Sequence, residues 1–388
     1  MTDTPRKICF VTGSRADFGL LIWPMRAIGE TAGLKLQLVA TGMHLSPEFG
    51  YTIDNIRAEG FTVDDTVETL LSSDSGVGVA KSVGLGVIGF ADAFARLAPD
   101  LVVVLGDRYE TFAAAQAAMY MRLPMAHLFG GDVTEGAIDE GIRHAITKLS
   151  HLHFATHAEA ARRIVRMGEP PERVHVVGNP GLDLLARAEP MSRDDLEAML
   201  GRPLGAKNLL VTFHPVTTAP DKGEGEFRAL LTALEPLSDV TIWITRANAD
   251  AGGMAINAML DAFAAGRANV SLHDALGAAY LPLLAACDAV VGNSSSGLTE
   301  APSTRTPTVN VGLRQAGRLA GPSVLHVDAN PAAISSAVTR AMAGDVPGFD
   351  NPYGDGQSAA RIIEALRAAP SRDILLRKRF FDGEAAHD

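Results

Sequence analysis

The sequence has little cysteine, few aromatic residues and no excess of basic charge. Only 2 of the 388 residues are cysteine, and Cys9 and Cys287 both lie in apolar stretches. This usage excludes a disulfide framework and predicts buried thiols in a reducing compartment. With 34 basic and 45 acidic residues the formal net charge is −11, so a field that would gather nucleic acid or anionic lipid is absent.

Long hydrophobic runs are missing as well. The first residues, MTDTPRKICFVTG, contain no apolar signal-peptide segment. Elsewhere glycine or charge interrupts each apolar run before about 18 residues, the length of a membrane span. We therefore expect a cytoplasmic protein without a membrane partner. The glycines of residues 72–89 favour a loop ahead of a helix at VIGFADAFARL.

What the sequence does contain is a repeated alternation of apolar strands and helical segments. It begins with KICFVT and LKLQLVATG and restarts in the second half with NLLVTFHP and VTIWIT. Such alternation is typical of parallel βαβ units, and the length suits two domains of about 100–200 residues each. We predict an α/β protein with two Rossmann-like doubly wound domains facing a cleft. The expected divisions are an N-terminal domain at 1–183, a linker at 184–205, a C-terminal domain at 206–355, and a helix at 356–388 that returns to the first domain.

Acidic residues are concentrated after the predicted strand LVVVLG. Asp107 and Arg108 come just past its carboxyl end, where open α/β sheets bind ligands. Asp139 and Arg143 lie four residues apart on one helix face. Close acids can hold one another's pKa values apart, as proton transfer requires. The other acids of this segment are Asp132, Glu135 and Glu140. For Asp107 we favour a catalytic role, and for Glu140 a solvated helix face.

The first strand-to-helix turn, Gly13-Ser14-Arg15, has features of a phosphate site. Free N–H groups at a helix start and an arginine both suit an anion. The alternative is a turn glycine beside a surface arginine. Because the turn lacks the G-x-G-x-x-G fingerprint, we exclude a nicotinamide cofactor.

The second half has comparable polar residues at predicted strand ends. His214 follows NLLVTF, and Arg246, Asn248 and Asp250 follow VTIWIT. The segment GNSSSGLTEAP, residues 292–302, places Ser294, Ser295 and Ser296 where they could bind phosphate oxygens. Glu300, expected one turn into the following helix, could accept hydrogen bonds from a ribose. The alternative is a serine N-cap with a helix-stabilising glutamate.

Three histidines, His151, His153 and His157, raise the question of a metal. Their segment SHLHFATH alternates like a strand, and no further ligand spacing completes a known pattern. We expect structural or supporting roles for them.

Eight motifs, taken in order, resemble the UDP-N-acetylglucosamine 2-epimerase family. The match is closer to its hydrolysing branch, which serves sialic and legionaminic acid synthesis, and it runs from about Lys7 to Arg367. The motifs are VTGSRADFGLL, VVVLGDRYE, HLFGGDVTEGAIDEGIRHAITKLSHLHF, VGNPGLD, FHPVT, TRANAD, VGNSSSGLTEAPS and NPYGDG.

The resemblance implies a glycosyltransferase-B-like pair of domains, the first for the sugar and the second for UDP. It implies no metal or redox cofactor, a UDP-sugar substrate, no nucleic-acid partner, and a homo-oligomer. Elimination of UDP across C1–C2 would give a 2-acetamidoglucal, and water would then add to form the manno epimer. The expected catalytic residues are Asp107, Asp139 and His214, together with Asp132, which is not carried over from the family. The implied substrate-binding residues are Arg15, Arg108, Arg143, Arg246, Asn248, Asn293, Ser294, Ser295, Ser296, Glu300 and Arg318.

Two positions depart from the family pattern. Where several relatives have an acid in the His-x-x-Gly-Gly segment, this chain has Phe129, and we assign Asp132 as the substitute. The family's Gly-Asp-Arg-Gln is Gly-Leu-Arg-Gln at residues 312–315. Phe129 would suit a less polar sugar, such as a 4-acetamido-6-deoxy sugar. The alternatives are a non-hydrolysing epimerase, a glycosyltransferase, and a UDP-sugar-binding regulator.

Overall fold

The chain folds into two α/β units, each built on one parallel sheet. The computed structural model describes residues 4–71, 75–134, 138–216, 219–247 and 252–383. Unit 1 consists of Met1–Ala186 with Tyr353–Asp388, and unit 2 of Arg187–Pro352.

The sheet of unit 1 has seven parallel strands in the order β3-β2-β1-β4-β5-β6-β7. This is the doubly wound order, in which the chain switches direction between β1 and β4. The strands are β1 Arg6–Thr12, β2 Leu34–Thr41, β3 Asp65–Val67, β4 Leu101–Leu105, β5 Met125–Leu128, β6 Leu152–Ala155 and β7 Val174–Val176. The helices are α1 Arg15–Glu30, α2 Ile53–Ala58, α3 Gly76–Leu97, α4 Tyr109–Tyr120, α5 Ile138–Leu149, α6 Ala158–Arg166 and α7 Gly181–Arg187.

Both faces of this sheet are buried, which explains why its strands are continuous apolar runs. Along β1, Ile8 and Phe10 belong to one core layer while Cys9 and Val11 belong to the other, because successive side chains point to opposite faces. Both cysteines are free and buried, as the sequence predicts.

The end of the chain is part of unit 1. Helices α14 Ser358–Ala368 and α15 Arg372–Leu375 follow the start of that segment at Tyr353. The carboxylate of Asp183, which is fully buried, accepts hydrogen bonds from the N–H groups of Ser358 and Ala359 at 2.9 and 2.8 Å. It therefore satisfies two donors at the start of α14, and Ile362 and Leu366 pack into the same core as α1.

Unit 2 repeats the architecture with six parallel strands in the order β10-β9-β8-β11-β12-β13. Counted from β8, this is again the doubly wound order, with the switch between β8 and β11. The strands are β8 Asn208–Thr212, β9 Thr241–Thr245, β10 Val270–His273, β11 Ala289–Gly292, β12 Thr308–Val311 and β13 Val324–Val327. The helices are α8 Arg193–Leu200, α9 Glu224–Leu234, α10 Gly253–Ala264, α11 Tyr280–Ala286, α12 Ser296–Thr299 and α13 Pro331–Met342.

Two stretches differ from the sequence-based expectation. Residues 184–205, expected as a linker, include α8, and Leu196, Leu200 and Leu204 pack into a core cluster of unit 2. The expected loop within 72–89 is also wrong, because α3 already begins at Gly76 and runs for 22 residues. Its glycines are tolerated because the helix packs closely on its neighbours: a Cβ at Gly86 would lie 2.8 Å from Ala113.

By length and composition, α3 is also the one helix among the described residues that could cross a membrane. Its apolar run is nevertheless interrupted by glycines and by Lys81 and Asp92, as the sequence shows. A core helix meets the same criterion, and Phe90, Ala93 and Phe94 of α3 are buried in the core of unit 1.

Candidate active site

At the carboxyl edge of the first sheet, Asp107 is hydrogen-bonded to Arg143. After β4 the chain turns at Gly106 in the left-handed region, with φ 73°, and Asp107 then accepts a hydrogen bond from Arg143 of α5. Arg143 is buried and also donates to Asp132 O and Thr134 Oγ1, both at 2.9 Å. Its predicted role in substrate binding stays a prediction. The guanidinium is used within the protein and holds the segments after β4 and β5 together.

The sequence suggests that Asp139 faces Arg143 and that Glu140 lies on a solvated helix face. In the structure Glu140 is the residue paired with Arg143, and Asp139 is exposed. Arg143 pairs with Glu140 at 3.1 Å, not with Asp139. Glu140 also accepts from Thr134 N–H at 2.5 Å and pairs with His144 at 3.0 Å. Although partial burial opposes this, those hydrogen bonds hold the pKa of Glu140 below its ordinary value. The expectation of a merely solvated Glu140 is wrong.

Asp139 is exposed in the first turn of α5, and no ion pair to it occurs in the described part of the chain. Partial burial and the negative charge of Asp107 raise the pKa of its carboxyl group. A carboxylate with a raised pKa is a better proton acceptor near neutral pH. Of the predicted catalytic acids, Asp139 thus has the electrostatic setting best suited to proton transfer.

Asp132 lies after β5 and pairs with a histidine. Its Oδ1 is 3.0 Å from His157 Nε2 and accepts from Thr156 Oγ1 at 3.1 Å. His157 caps α6, because its Nδ1 accepts the N–H of Ala160 at 3.1 Å. This bond assigns the proton of a neutral ring to Nε2, which donates it to Asp132. The supporting role predicted for His157 can therefore be specified: its ring holds the carboxylate of Asp132.

The other two histidines contact different groups. The ring Nδ1 of His151 accepts the N–H of Met125 at 3.2 Å, and His153 pairs with the buried Glu169 at 2.9 Å. Within the described residues no group of three His, Cys, Asp or Glu side chains is arranged to hold a metal ion.

Phe129, at the family's acidic position, has a left-handed backbone with φ 65°. For a bulky residue such a backbone stores on the order of 1–3 kcal/mol of strain. The side chain is half-buried and packs against the core of unit 1. Phe129 thus puts a strained backbone directly after β5, three residues before Asp132.

The sequence reasoning missed Glu110, a buried acid at the same edge. Its side chain is fully buried and pairs with Arg108 at 2.7 Å. A Cβ at Gly13 would lie 2.8 Å from Glu110 Cγ, and one at Gly42 2.9 Å from its Oε1, so both loops need glycine here. Burial raises the pKa of Glu110 despite the charge of Arg108. Arg108, expected to bind substrate, is thus the ion-pair partner of Glu110, and the position just past Asp107 could have signalled this acid.

The first strand-to-helix turn is already occupied by a carboxylate. The N–H groups of Gly13 and Ser14 donate to Asp17 at 2.8 and 2.7 Å, and Ser14 Oγ donates at 2.5 Å. Ser14 and Asp17 form a capping box, whose serine and acid three residues apart are visible in the sequence. The expectation of free N–H donors at Gly13 and Ser14 is wrong. Arg15 remains exposed, with no ion pair inside the described ranges.

A cavity of 980 Å³ opens in unit 1 beside Gly42. Its size falls in the range of small-molecule sites. No residue from the predicted site lines it. The lining residues are Gly42, Leu45, Ser46, Pro47, Glu48, Phe49, Glu68, Thr69, Leu70, Leu71, Val79, Ser82 and Tyr109.

In unit 2, the loops after β8 and β11 are joined by Asn293. This residue is fully buried; its Oδ1 accepts from His214 N–H at 2.7 Å and its Nδ2 donates to His214 O at 2.8 Å. Gly292 permits the close approach, since a Cβ there would lie 2.0 Å from Thr212 O. The side chain of Asn293 thus positions the His214 segment, and its predicted role in substrate binding stays a prediction.

The serine segment forms a single helical turn. Helix α12 ends at Thr299, so Glu300 follows the helix and the expectation that it lies one turn inside is wrong. Glu300 accepts from Thr299 Oγ1, and Ser296 Oγ accepts from Tyr280 OH at 2.7 Å. Burial raises the pKa of Tyr280 to about 12, so it stays a donor. Ser294 and Ser295 are half-buried beside this pair.

The predicted arginines of unit 2 differ in availability. Arg246 pairs with Asp261 at 2.6 Å and Asp274 at 3.1 Å, and its predicted role in substrate binding stays a prediction. Arg318 is exposed and forms no ion pair among the described residues. Leu313, at the position of the family's acid, is 73% exposed.

Three of the residues that the sequence singled out lie outside the described residues: Asn248, Glu135 and Asp250.

Comparison with known proteins agrees with the motif resemblance. The family model for UDP-N-acetylglucosamine 2-epimerase matches residues 26–367. The chain is 39% identical to the GDP/UDP-N,N'-diacetylbacillosamine 2-epimerase (hydrolyzing) of Campylobacter jejuni, over 84% of this chain and 85% of that protein. It is 34% identical to the UDP-N,N'-diacetylbacillosamine 2-epimerase (hydrolyzing) of Legionella pneumophila, over 96% and 98%.

The fold is shared with solved structures. A putative UDP-N-acetylglucosamine 2-epimerase of Listeria monocytogenes superposes with a TM-score of 0.77 at 20% identity, covering 94% of this chain and 96% of that one. The prediction of two Rossmann-like doubly wound domains is thus confirmed by both the topology and this likeness. On the extent of the family match and the identity to the two relatives, the chain belongs to the UDP-N-acetylglucosamine 2-epimerase family.

Proposed function

We propose that the protein is a hydrolysing 2-epimerase that converts UDP-N,N'-diacetylbacillosamine and water into UDP and the 2,4-diacetamido-2,4,6-trideoxy manno sugar. The observation that carries this proposal is the 39% and 34% identity to two relatives named as hydrolysing epimerases of that sugar nucleotide. UDP-N-acetylglucosamine is the second candidate substrate, because the Neisseria meningitidis relative named UDP-N-acetylglucosamine 2-epimerase is 32% identical over 97% of the chain.

The reaction consists of an elimination followed by a hydration. A base takes the C2 proton, the C1–O bond breaks, and its electron pair leaves with UDP. Water then gives up one proton to a carboxylate and forms the new C1–O bond, while an acid delivers a proton to the other face of C2. Since the C2 hydrogen is only weakly acidic, its removal requires a positioned base and stabilisation of the leaving diphosphate.

We assign the proton transfers to the carboxylates of unit 1. Asp139 has a raised pKa and no ion pair within the described residues, so it is free to act as base. Asp107 is fixed by Arg143 and keeps that pKa raised through its own charge. Asp132, held by His157, is the second acid/base group and remains our substitute for the acid missing at Phe129.

We assign the diphosphate to Arg15, His214, Ser294, Ser295 and Arg318. The arginines are exposed and can donate to phosphate oxygens, and the two serines lie on one loop that Asn293 ties to the His214 segment. Glu300 accepts hydrogen bonds from the uridine ribose. Ser296 belongs to the same site, where the hydroxyl of Tyr280 donates a hydrogen bond to its Oγ.

The wider setting is also a proposal. We infer a cytoplasmic homo-oligomer acting in legionaminic acid synthesis or a related sialic-acid-type pathway, with no nucleic-acid or membrane partner. Two buried free cysteines and a net charge of −11 support this setting.

Proton NMR in deuterated water tests the function. With UDP-N,N'-diacetylbacillosamine we expect free UDP and a manno product carrying deuterium at C2, and slower turnover of UDP-N-acetylglucosamine. A product that keeps its UDP would identify a non-hydrolysing epimerase. Transfer to an added acceptor without C2 exchange would identify a glycosyltransferase. Binding without turnover of either nucleotide sugar would identify a regulator and overturn the proposal.

A further inference from the structure

Two of the family motifs, VGNPGLD and NPYGDG, have no part in the proposed proton transfer or anion binding. The first comprises residues 177–183 and follows β7, and the second comprises residues 351–356. Tyr353, in the second motif, is the residue at which the chain returns to unit 1. The two motifs meet there, because the carbonyl oxygen of Tyr353 accepts a hydrogen bond from Asn179 N–H at 2.7 Å.

Glycine makes this contact possible on both sides. Gly178 has φ 89° and Gly354 has φ 110°, values that glycine adopts at little cost. A Cβ at Gly178 would lie 3.0 Å from the carbonyl oxygen of Tyr353, and a Cβ at Gly354 would lie 3.2 Å from the Cα of Gly178. The main chain at Tyr353 is therefore fixed against the loop after β7, and it determines where the tyrosine side chain lies.

The ring of Tyr353 packs against His157. Both residues are 7% exposed, and their ring centroids lie 5.6 Å apart at an interplanar angle of 86°. This is the edge-to-face arrangement of an aromatic pair. The nitrogens of His157 already have partners, the N–H of Ala160 at Nδ1 and the carboxylate of Asp132 at Nε2. Tyr353 therefore restrains the imidazole without competing for either nitrogen.

These contacts cross three neighbouring strand ends. Asp132 follows β5, His157 follows β6 and Asn179 follows β7, and the three strands are adjacent in the sheet. We propose that Tyr353 is a positioning residue for the reaction, which holds the His157 ring in the orientation that donates to Asp132. Tyr353 acts on the carboxylate through the imidazole. A carboxylate that transfers a proton must itself be held in place, and this role gives both motifs a function.

The proposal rests on the proposed function, in which Asp132 is the second acid/base group. A spectrum tests the ring contact without any turnover. Long-range ¹⁵N–¹H spectra of the full chain, labelled at the ring nitrogens of its 11 histidines, report the tautomer of each ring. The variant His157→Gln identifies the signals of His157.

We expect the Nε2–H tautomer for His157 in the original chain and in Tyr353→Phe, which keeps the ring. Tyr353→Leu should give averaged signals of the two tautomers. Unchanged His157 signals in Tyr353→Leu would overturn the proposal. A chain that shows these spectra but turns over no UDP-sugar would contradict the proposed function alone.

Kinetics then separates positioning from binding. Tyr353→Leu should lower kcat about fivefold, since an edge-to-face pair shifts an equilibrium by roughly two- to tenfold. The KM and the UDP inhibition constant should change less than about twofold, because the groups assigned to the diphosphate are untouched. Tyr353→Phe should retain at least about half of the original kcat, because the edge-to-face contact remains. Tyr120→Leu on α4, where Tyr120 is 76% exposed, is the control for the loss of a tyrosine ring.

Equal losses in Tyr353→Phe and Tyr353→Leu would overturn the proposal, and so would a loss of UDP affinity with normal kcat. Circular dichroism checks that each variant is folded. If Tyr353→Leu does not fold, Tyr353→Met takes its place in the comparison.

A double variant tests whether Tyr353 acts through His157. In the His157→Gln background, Tyr353→Leu should lower kcat by less than about twofold, because the ring that it positions is already absent. Independent effects would instead multiply, to a loss of about fiftyfold for the pair. A loss of that size would show that Tyr353 supports the fold generally and would overturn the proposal.

Discussion

The carboxyl edges of the two sheets share one topology but carry different chemistry. In unit 1, the edge after β4 and β5 carries carboxylates: Asp107 and Glu110 are paired with arginines, and Asp132 is paired with His157. In unit 2, the edge after β8 and β11 carries hydroxyl, imidazole and amide groups, including His214 and Asn293. The doubly wound order determines where a ligand binds, and the loops decide what chemistry is available there.

At each edge, some polar groups are already hydrogen-bonded to other groups of the same unit. Asp17 occupies the donors of the first turn in unit 1, and Asn293 is bound to the backbone of His214 in unit 2. The difference lies in what remains. Asp139 in unit 1 is a carboxylate with a raised pKa, whereas unit 2 offers neutral hydroxyls and exposed arginine. This difference supports our proposal that proton transfer takes place at the first edge and that most of the anion binding takes place at the second.

The largest effect is expected from replacing Asp139, the proposed base at the edge of unit 1. Asp139→Asn should lower kcat by about 10³-fold, because a proton acceptor typically contributes 10²–10⁴. The UDP inhibition constant should change less than threefold. Stopped assays of UDP release measure both, with Asp54→Asn on the exposed part of α2 as control. A large loss of UDP affinity with normal kcat would place Asp139 on the nucleotide side.

A smaller effect is expected from the Asp132–His157 pair. Asp132→Asn should lower kcat about 10²-fold. His157→Gln should lower it about tenfold, since the carboxylate stays but loses its fixed N–H donor. Deuterium incorporation at C2 shows which half-reaction suffers. Equal activity of both variants and the original chain would remove Asp132 as the substitute for the acid missing at Phe129.

Acid stability should also distinguish the units. Burial lowers the pKa of His127 to about 3 and that of His151 to about 4, so both stay neutral in the folded protein. The unfolded chain binds these protons below about pH 6.5, and stability is therefore lost as the pH falls through the window from 6.5 to 4. At pH 5 the loss should be about 2 kcal/mol for each histidine. Hydrogen exchange resolved by peptide measures this, and equal acid sensitivity of the unit 2 core strands would contradict it.

The smallest effect is expected at the second edge. Ser294→Ala should weaken UDP inhibition about tenfold, the loss of one hydrogen bond to a charged group. Bound substrate should react at a nearly unchanged rate. Isothermal calorimetry with UDP measures the affinity, and Ser335→Ala on α13 is the control. A fall in kcat with unchanged UDP affinity would contradict the division of proton transfer and anion binding between the two edges.

The sequence was sufficient for the elements that repeat. Apolar strands followed by charged or small residues, as at Leu105–Asp107 and Thr212–His214, predict sheet edges because side-chain periodicity and burial are local properties of the chain. It was insufficient at α3, where glycines that look like loop residues are helical because the neighbouring Ala113 and Val67 pack against them. That requirement comes from residues distant in the chain.

By itself the sequence determined the family, the two parallel sheets, and the strand ends that carry Asp107 and His214. Only the tertiary structure decided which polar groups are already used. Arg143 is bound to Asp107, Arg246 to Asp261 and Asp274, and Asn293 to His214. The physical reason is that a donor bonds whichever acceptor folding brings within about 3 Å, and that choice depends on segments far apart in the chain.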